Sequence, residues 1–187
     1  QEWYQRATEV IPGGIYGHLG PAEGCFMPIS SYPLFAAKAQ GSYFWDVDGN
    51  KYLDLMCAYG PMMLGYNDPD VDKAAMDQLK VMNCVVQPGT LMVELAELMV
   101  DTVDMADWAF FAKNGGDVTN YALMVARAAT GRDKFIAMHG GYHGIIGWTQ
   151  GWGAPGVAKS DVADKLMVPF NDVSAVEKIV SEYKGEI

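Results

Sequence analysis

The sequence has few cysteines, few basic residues and no long apolar run. Cys25, Cys57 and Cys84 are scattered and form no CxxC pair, which removes zinc knuckles and dithiol redox motifs. So sparse a set fits a reducing compartment where thiols stay free. Lysine and arginine number 13 against 23 acidic residues, giving a formal net charge of −10, and no arginine stands between Arg6 and Arg127. An acidic surface repels phosphates, so neither nucleic acid nor an anionic membrane is expected as a partner. No apolar run reaches the roughly 18 residues of a membrane span, and no charged n-region with an apolar h-region marks a signal peptide. These absences predict a cytoplasmic protein. No Ser/His/Asp arrangement is visible, and His139 and His143 are separated by two glycines with no third ligand in view, so no metal site is expected.

What is present is ordinary for a globular chain: 187 residues, half of them hydrophobic and 12% aromatic. That suffices for one sizeable domain or part of a larger one. The chain begins at Gln1 and ends on "VSAVEKIVSEYKGEI", an amphipathic helix (Val173, Val176, Ile179, Val180, Tyr183) followed by Gly185. A buried strand is expected next in such a pattern, so the sequence reads as a fragment.

Residues 2–9 read as a short helix, followed by a Gly/Pro-rich region from Pro12 to Pro33. "LFAAKAQGSYFWDVDGNKYLDLMC" predicts strands with a tight turn at Asp48-Gly49-Asn50, where Gly and Asn tolerate positive φ. Asp68-Pro69 predicts a capped helix to about Met82, and Thr90 is the expected cap of a second, with Leu91, Leu95, Leu98 and Met99 at helical spacing. From Trp108 the rhythm becomes strand, helix, strand. "WAFFAK", "KFIAMH" and "KLMVPF" read as strands, and Val118–Thr130 and Val173–Tyr183 as helices. Ala122, Val125, Ala126 and Ala129 form a small-residue stripe suited to packing on a sheet. The expected class is α/β with a mainly parallel sheet and ligands at the strands' carboxyl ends. Residues 1–67 form an N-terminal segment and 68–187 the start of an α/β domain.

The chemistry concentrates in "KNGGDV", at a strand's end and a helix's start. Gly115 and Gly116 carry no Cβ, so an anion can reach their N–H groups at the positive end of the helix dipole. Neither GxxxxGK[ST] nor GxGxxG fits these residues, which excludes the two common nucleotide templates. The alternative is an ordinary strand-to-helix turn with Asp117 as N-cap. "MHGGYHG" follows the next strand and puts Tyr142 and His143 close to the glycine turn. Tyr142 could stack on a flat ring or simply pack beside a turn. "CAYGPMMLGYNDPDV" is a chain reversal in which Tyr59 either lines a pocket or packs locally. "GIIGWTQGWGAPGVA", with Trp148 and Trp152, is either a mobile flap or an inert surface loop.

The order of these segments resembles the class III aminotransferases, pyridoxal phosphate (PLP) enzymes of fold type I, and above all their glutamate-1-semialdehyde aminomutase branch. The matching stretches are "IPGG" at 11–14, "GSYFWDVDGNKYLDL" at 41–55, "YGPMMLGYNDPDV" at 59–71, "NGGDVTNYALMVARAATGRDK" at 114–134 and "GGYHG" at 140–144. The resemblance implies the type I fold, with 1–67 contributing to the small domain and 68–187 beginning the large parallel-sheet domain. It implies PLP as cofactor, with Gly115, Gly116 and Asp117 at its phosphate, Tyr142 on its ring, His143 beside it, and Tyr59 bordering the substrate. It also implies a homodimer whose substrates are a small amine donor and a keto or aldehyde acceptor.

Three departures qualify the likeness. The family's Schiff-base lysine and the aspartate at its pyridine nitrogen lie beyond Ile187, so none of the ten lysines here is expected to be catalytic, and the 187-residue chain alone is expected to be inactive. Asp117 replaces a common threonine; its carboxylate is expected to cap its own helix while its N–H faces the phosphate. The aminomutase arginine for the substrate carboxylate would fall near Gly20, where none occurs. An aminotransferase is therefore the first expectation and a 2,1-aminomutase the second. A phosphate-binding α/β module without PLP and a non-catalytic dimerising relative remain as rivals.

Overall fold

The computed structural model describes residues 2–15 and 33–187. By contact the chain divides into two compact units, Gln1–Pro88 and Gly89–Ile187. Cys25 and the position near Gly20 lie outside the described residues.

In the first unit, helix α1 (Glu2–Val10) buries Ala7 and leads into a short 3-10 turn at Pro12–Gly14. Strands β1 (Ala36–Gln40), β2 (Tyr43–Asp46) and β3 (Lys51–Leu53) form an antiparallel meander in the order of the sequence. Phe44 stands opposite Tyr52 across the β2–β3 ladder, and their rings stack with centroids 5.2 Å apart. The turn at 47–50 is held by the buried Asp46 carboxylate. It accepts from the Asp48 N–H at 3.0 Å, the Asn50 N–H at 2.8 Å, the Asn50 amide at 2.9 Å and the Tyr52 hydroxyl at 2.9 Å. Helix α2 (Pro69–Val81) starts as its sequence dictates: Pro69 fills N1, and the Asp68 carboxylate accepts from the N–H groups of Asp70 and Val71, both at 3.1 Å.

The second unit opens with α3 (Thr90–Thr102). Its N-cap is Gly89, with no side-chain cap, so the capping expected of Thr90 is not found; Thr90 is already the first helical residue. Helix α4 (Gly115–Thr130) begins three residues before Val118 and ends where Gly131 turns left-handed at φ 67°. Strands β4 (Phe135–Met138) and β5 (Lys165–Val168) pair in parallel, Phe135 opposite Lys165 and Met138 opposite Val168. Helix α5 (Val173–Glu182) follows, its Asp172 cap accepting from the Ala175 N–H at 3.0 Å. Ala137, Val162 and Val168 form the buried apolar centre of this unit.

Two expectations fail here for one reason. "WAFFAK" is not a strand among the described residues, and Ala122, Ala126 and Ala129 stay exposed. A strand exists only as a member of a ladder, and a small-residue stripe buries only against a sheet wide enough to meet it. The parallel sheet described here has two strands. No helix among the described residues is long and apolar enough to cross a membrane.

Candidate functional site

The turn into α4 is organised by a residue the sequence reading passed over. Asn114, in extended conformation, is the N-cap: its Oδ1 accepts from the Asp117 N–H at 3.0 Å. Its Nδ2 donates in return to Asp117 Oδ2 at 2.8 Å. This is a reciprocal cap of the same logic as the Ser/Thr-x-x-Glu box, and the spacing Asn114…Asp117 was the available signal. It corrects the expected geometry of Asp117 in two respects. Asp117 is not the N-cap, and its N–H is engaged by Asn114 rather than facing outward. Its carboxylate does turn back onto the helix start.

Of the first four N–H groups of α4, Asp117 and Val118 are therefore engaged, the latter by the Asn114 carbonyl at 3.3 Å. Gly115 and Gly116 retain N–H groups without an acceptor among the described residues, at the positive end of a 16-residue helix. A Cβ on Gly115 would meet nothing within 4 Å, so the approach to this turn is open.

The loop after β4 closes on the same turn. Gly144, at φ 106°, approaches so closely that a Cβ there would lie 2.7 Å from the Gly116 Cα. The Thr119 hydroxyl lies 2.7 Å from the His143 carbonyl and 3.0 Å from the Gly116 carbonyl, tying loop to helix. Two glycines thus let two backbones touch where side chains would hold them apart.

His143 is fixed on more than one side. Its ring stacks at 6.1 Å on Trp148, whose indole N–H donates to Asn120 Oδ1 on α4 at 3.1 Å. A Cβ on Gly141 would lie 3.0 Å from His143 Nε2. The carboxyl end of β4 opens into a cavity of ≈ 540 Å³ whose lining includes Ile136, Met138, Gly141, Tyr142, His143 and Phe170. Tyr142 is 63% exposed beside it. The structure thus brings Gly115, Gly116, Asp117, Tyr142 and His143 into one neighbourhood at a strand's carboxyl end. None of the ten lysines lines the cavity.

Tyr59 lies in the first unit. It is the third of three consecutive non-glycine residues at positive φ, Cys57 (50°), Ala58 (50°) and Tyr59 (63°), and its side chain is 64% exposed. Three such residues in a row store backbone strain of a kind common at ligand clamps. Nearby, Asp54 accepts from the Tyr66 hydroxyl and from the Met56 N–H at 2.7 Å. The Tyr66 phenol is pushed up to about 12, first by that hydrogen bond and then by desolvation. The segment of Trp148 and Trp152 divides: Trp148 is pinned between His143 and Asn120, and Trp152 is exposed.

The family model described as aminotransferase class-III matches residues 27–178. The aminopentol aminotransferase of Sphingopyxis macrogoltabida is 38% identical over 98% of this chain and 42% of its own length. A glutamate-1-semialdehyde 2,1-aminomutase of Salinibacter ruber is 34% identical over 100% of the chain and 44% of its own. The FumI protein of Sphingopyxis sp. MTA144, solved in its PLP internal aldimine form, superposes with a TM-score of 0.89 at 37% identity, covering 100% of this chain and 44% of that one. The chain spans less than half the length of these relatives. Its fold is that of the type I PLP-dependent transaminases, in part. The chain belongs to the class III aminotransferases.

Proposed function

We propose that this chain is the cofactor-anchoring part of a PLP-dependent aminotransferase that moves an amino group between an amine or amino-acid donor and a keto or aldehyde acceptor. One observation carries the reading: two unengaged glycine N–H groups open α4 where Gly144 closes on Gly116, and Gly144 directly follows Tyr142 and His143, which line the cavity at the end of β4. The donor set suits a phosphate ester carrying a flat aromatic ring. Gly115 and Gly116 would hold the phosphate through their N–H groups and the helix dipole, beside the Asn114–Asp117 cap that fixes the turn. Tyr142 faces the ring and His143 lies beside it, its orientation set by Trp148 and Gly141. When bound, PLP supplies the electron sink for amino-group transfer; the protein supplies anchoring and orientation. Tyr59 borders the substrate from a strained turn.

The required lysine nucleophile belongs to the remainder of the full-length protein. On this reading the 187-residue chain alone has no transaminase activity. The active protein is a cytoplasmic homodimer. Residues 1–67 serve the small domain and 68–187 the large one. The 2,1-aminomutase reading is favoured by the Salinibacter relative. It is opposed by the lack of any arginine between Arg6 and Arg127 to take a substrate carboxylate. Product analysis separates them, since a mutase turns over without a second keto-acid acceptor.

Gly115→Ala in the full-length protein tests the seat. The new methyl meets nothing in the fold, so stability stays within about 0.5 kcal/mol. PLP affinity, read by titrating its visible absorbance, falls roughly tenfold or more as the methyl enters the anion's approach. Unchanged affinity would place the phosphate elsewhere.

A further inference from the structure

The second unit contains a buried cation that the proposed site does not use. Lys165 opens β5 at 6% exposure, and no carboxylate pairs with it among the described residues. Its ammonium instead donates to two successive backbone carbonyls, Gln150 at 3.0 Å and Thr149 at 3.3 Å. Isolated buried ammonium groups are costly, so this geometry persists only where the acceptors are fixed. Burial alone pushes the Lys165 ammonium down from its ordinary value, as expected without a counter-ion.

The two carbonyls lie in the first half of the connection from β4 to β5, and this stretch is internally connected. The Thr149 hydroxyl lies 2.7 Å from the carbonyls of Gly144 and Ile146, and the Gln150 amide donates to the Gly144 carbonyl at 3.3 Å. Gly144 in turn touches Gly116, and Trp148, between these residues, stacks on His143. Phe135, opposite Lys165 in the ladder, meets Trp148 edge-on at 5.2 Å. A continuous path of contacts therefore runs from the Lys165 ammonium to both halves of the candidate site.

We propose that Lys165 is a positioning residue: by fastening the Thr149 and Gln150 carbonyls it holds the 143–150 loop in the form that seats Gly144 against Gly116 and aims His143. The fastening rests on the geometry above; its consequence for cofactor binding rests on the PLP reading.

The test uses the full-length protein with Lys165→Met, which keeps an apolar stem and removes the ammonium, and Lys165→Arg, which keeps charge and donors. Thr149→Val breaks the next link with little change of shape. Hydrogen exchange is followed without cofactor, and PLP affinity and the visible circular dichroism of bound PLP with it. Lys165→Met is expected to speed exchange over residues 144–150 about tenfold, the loss of a charge-assisted bond, while β4 and β5 keep their protection. PLP affinity falls about tenfold and the dichroic band changes shape. Thr149→Val shows the same pattern more weakly, and Lys165→Arg restores both readouts to within about threefold. Unchanged exchange in Lys165→Met overturns the inference. So does loosening that extends equally through β4 and β5, or a failure of Thr149→Val to loosen 144–150 if Lys165→Met does not fold. A wild-type protein that binds no PLP, with local loosening in Lys165→Met, sinks the cofactor reading and leaves the fastening standing.

Discussion

The β1–β3 meander and the α4 turn are both held by an acidic or amide side chain on neighbouring backbone N–H groups, yet they differ in reach. Asp46 gathers four donors from within six residues of itself. The meander is thus a local object, closed by its own sequence. The α4 turn begins locally, with Asn114 and Asp117 capping each other, and is completed from a distance by Gly144 and by the His143 carbonyl on Thr119. The first arrangement resists disturbance elsewhere in the chain. The second registers any change in the loop that closes on it, a property suited to a ligand seat.

The comparison can be broken most severely at Gly144. Alanine there must adopt φ near 106° and place its Cβ 2.7 Å from backbone at Gly116, where no flexible side chain can yield. Gly144→Ala is expected to cost about 3 kcal/mol or more in urea unfolding, with PLP binding lost. A loss under about 1 kcal/mol would show that the two backbones separate easily, and that the turn is less dependent on distant contacts than drawn here.

A smaller disturbance is expected from Asp46→Ala, which leaves four donors without their common acceptor. Exchange of the amides at 48–52 should quicken roughly tenfold or more, with 114–120 unaffected. The same contrast has a pH signature. Hydrogen bonds, first that from the Asn50 side chain, hold the Asp46 carboxyl below its ordinary 3.8. Its stabilising contribution is therefore present above pH 3.8 and is lost as pH falls through the lower folded value. Protection of 48–52 that vanishes well above pH 4 would contradict this assignment.

The smallest effect is expected at Tyr66→Phe, which frees Asp54 of one of its donors at a cost of about 1 kcal/mol. Since the Tyr66 pKa is raised from 10.0 to about 12, its contribution is complete below pH 10 and is lost as pH rises through about 12. Ultraviolet titration of wild type against Tyr66→Phe should reveal one phenol ionising near 12. A difference spectrum centred near 10 would show that the Asp54 bond does not form in solution.

Legibility from sequence followed the same division. Asp68-Pro69 announced α2, and Asp48-Gly49-Asn50 announced the turn between β2 and β3, because caps and turns draw on residues a few positions apart. The strand-like runs at β4 and β5 were readable from their short apolar stretches. Thr90 was misjudged because a residue competent to cap can equally serve as the first helical residue once Gly89 takes the cap position. Asp117 was misjudged because two cap-competent residues stand three apart and only geometry decides which comes first.

The sequence by itself determined most local elements, though not a strand at "WAFFAK", together with the net acidity, the glycine turn and, through the order of its segments, the class III family. These depend on composition, short-range hydrogen bonding and spacing, all carried by neighbours in the chain. Only the tertiary structure decided that "KNGGDV" is closed by Gly144 and that Asn114 owns the Asp117 N–H. It alone revealed that Trp148 steadies His143 and that Lys165 reaches the Thr149 and Gln150 carbonyls. The closures by Gly144, by Trp148 on Asn120 and by Lys165 join residues 15 to 28 positions apart, and no local pattern encodes which distant carbonyl a buried ammonium will meet.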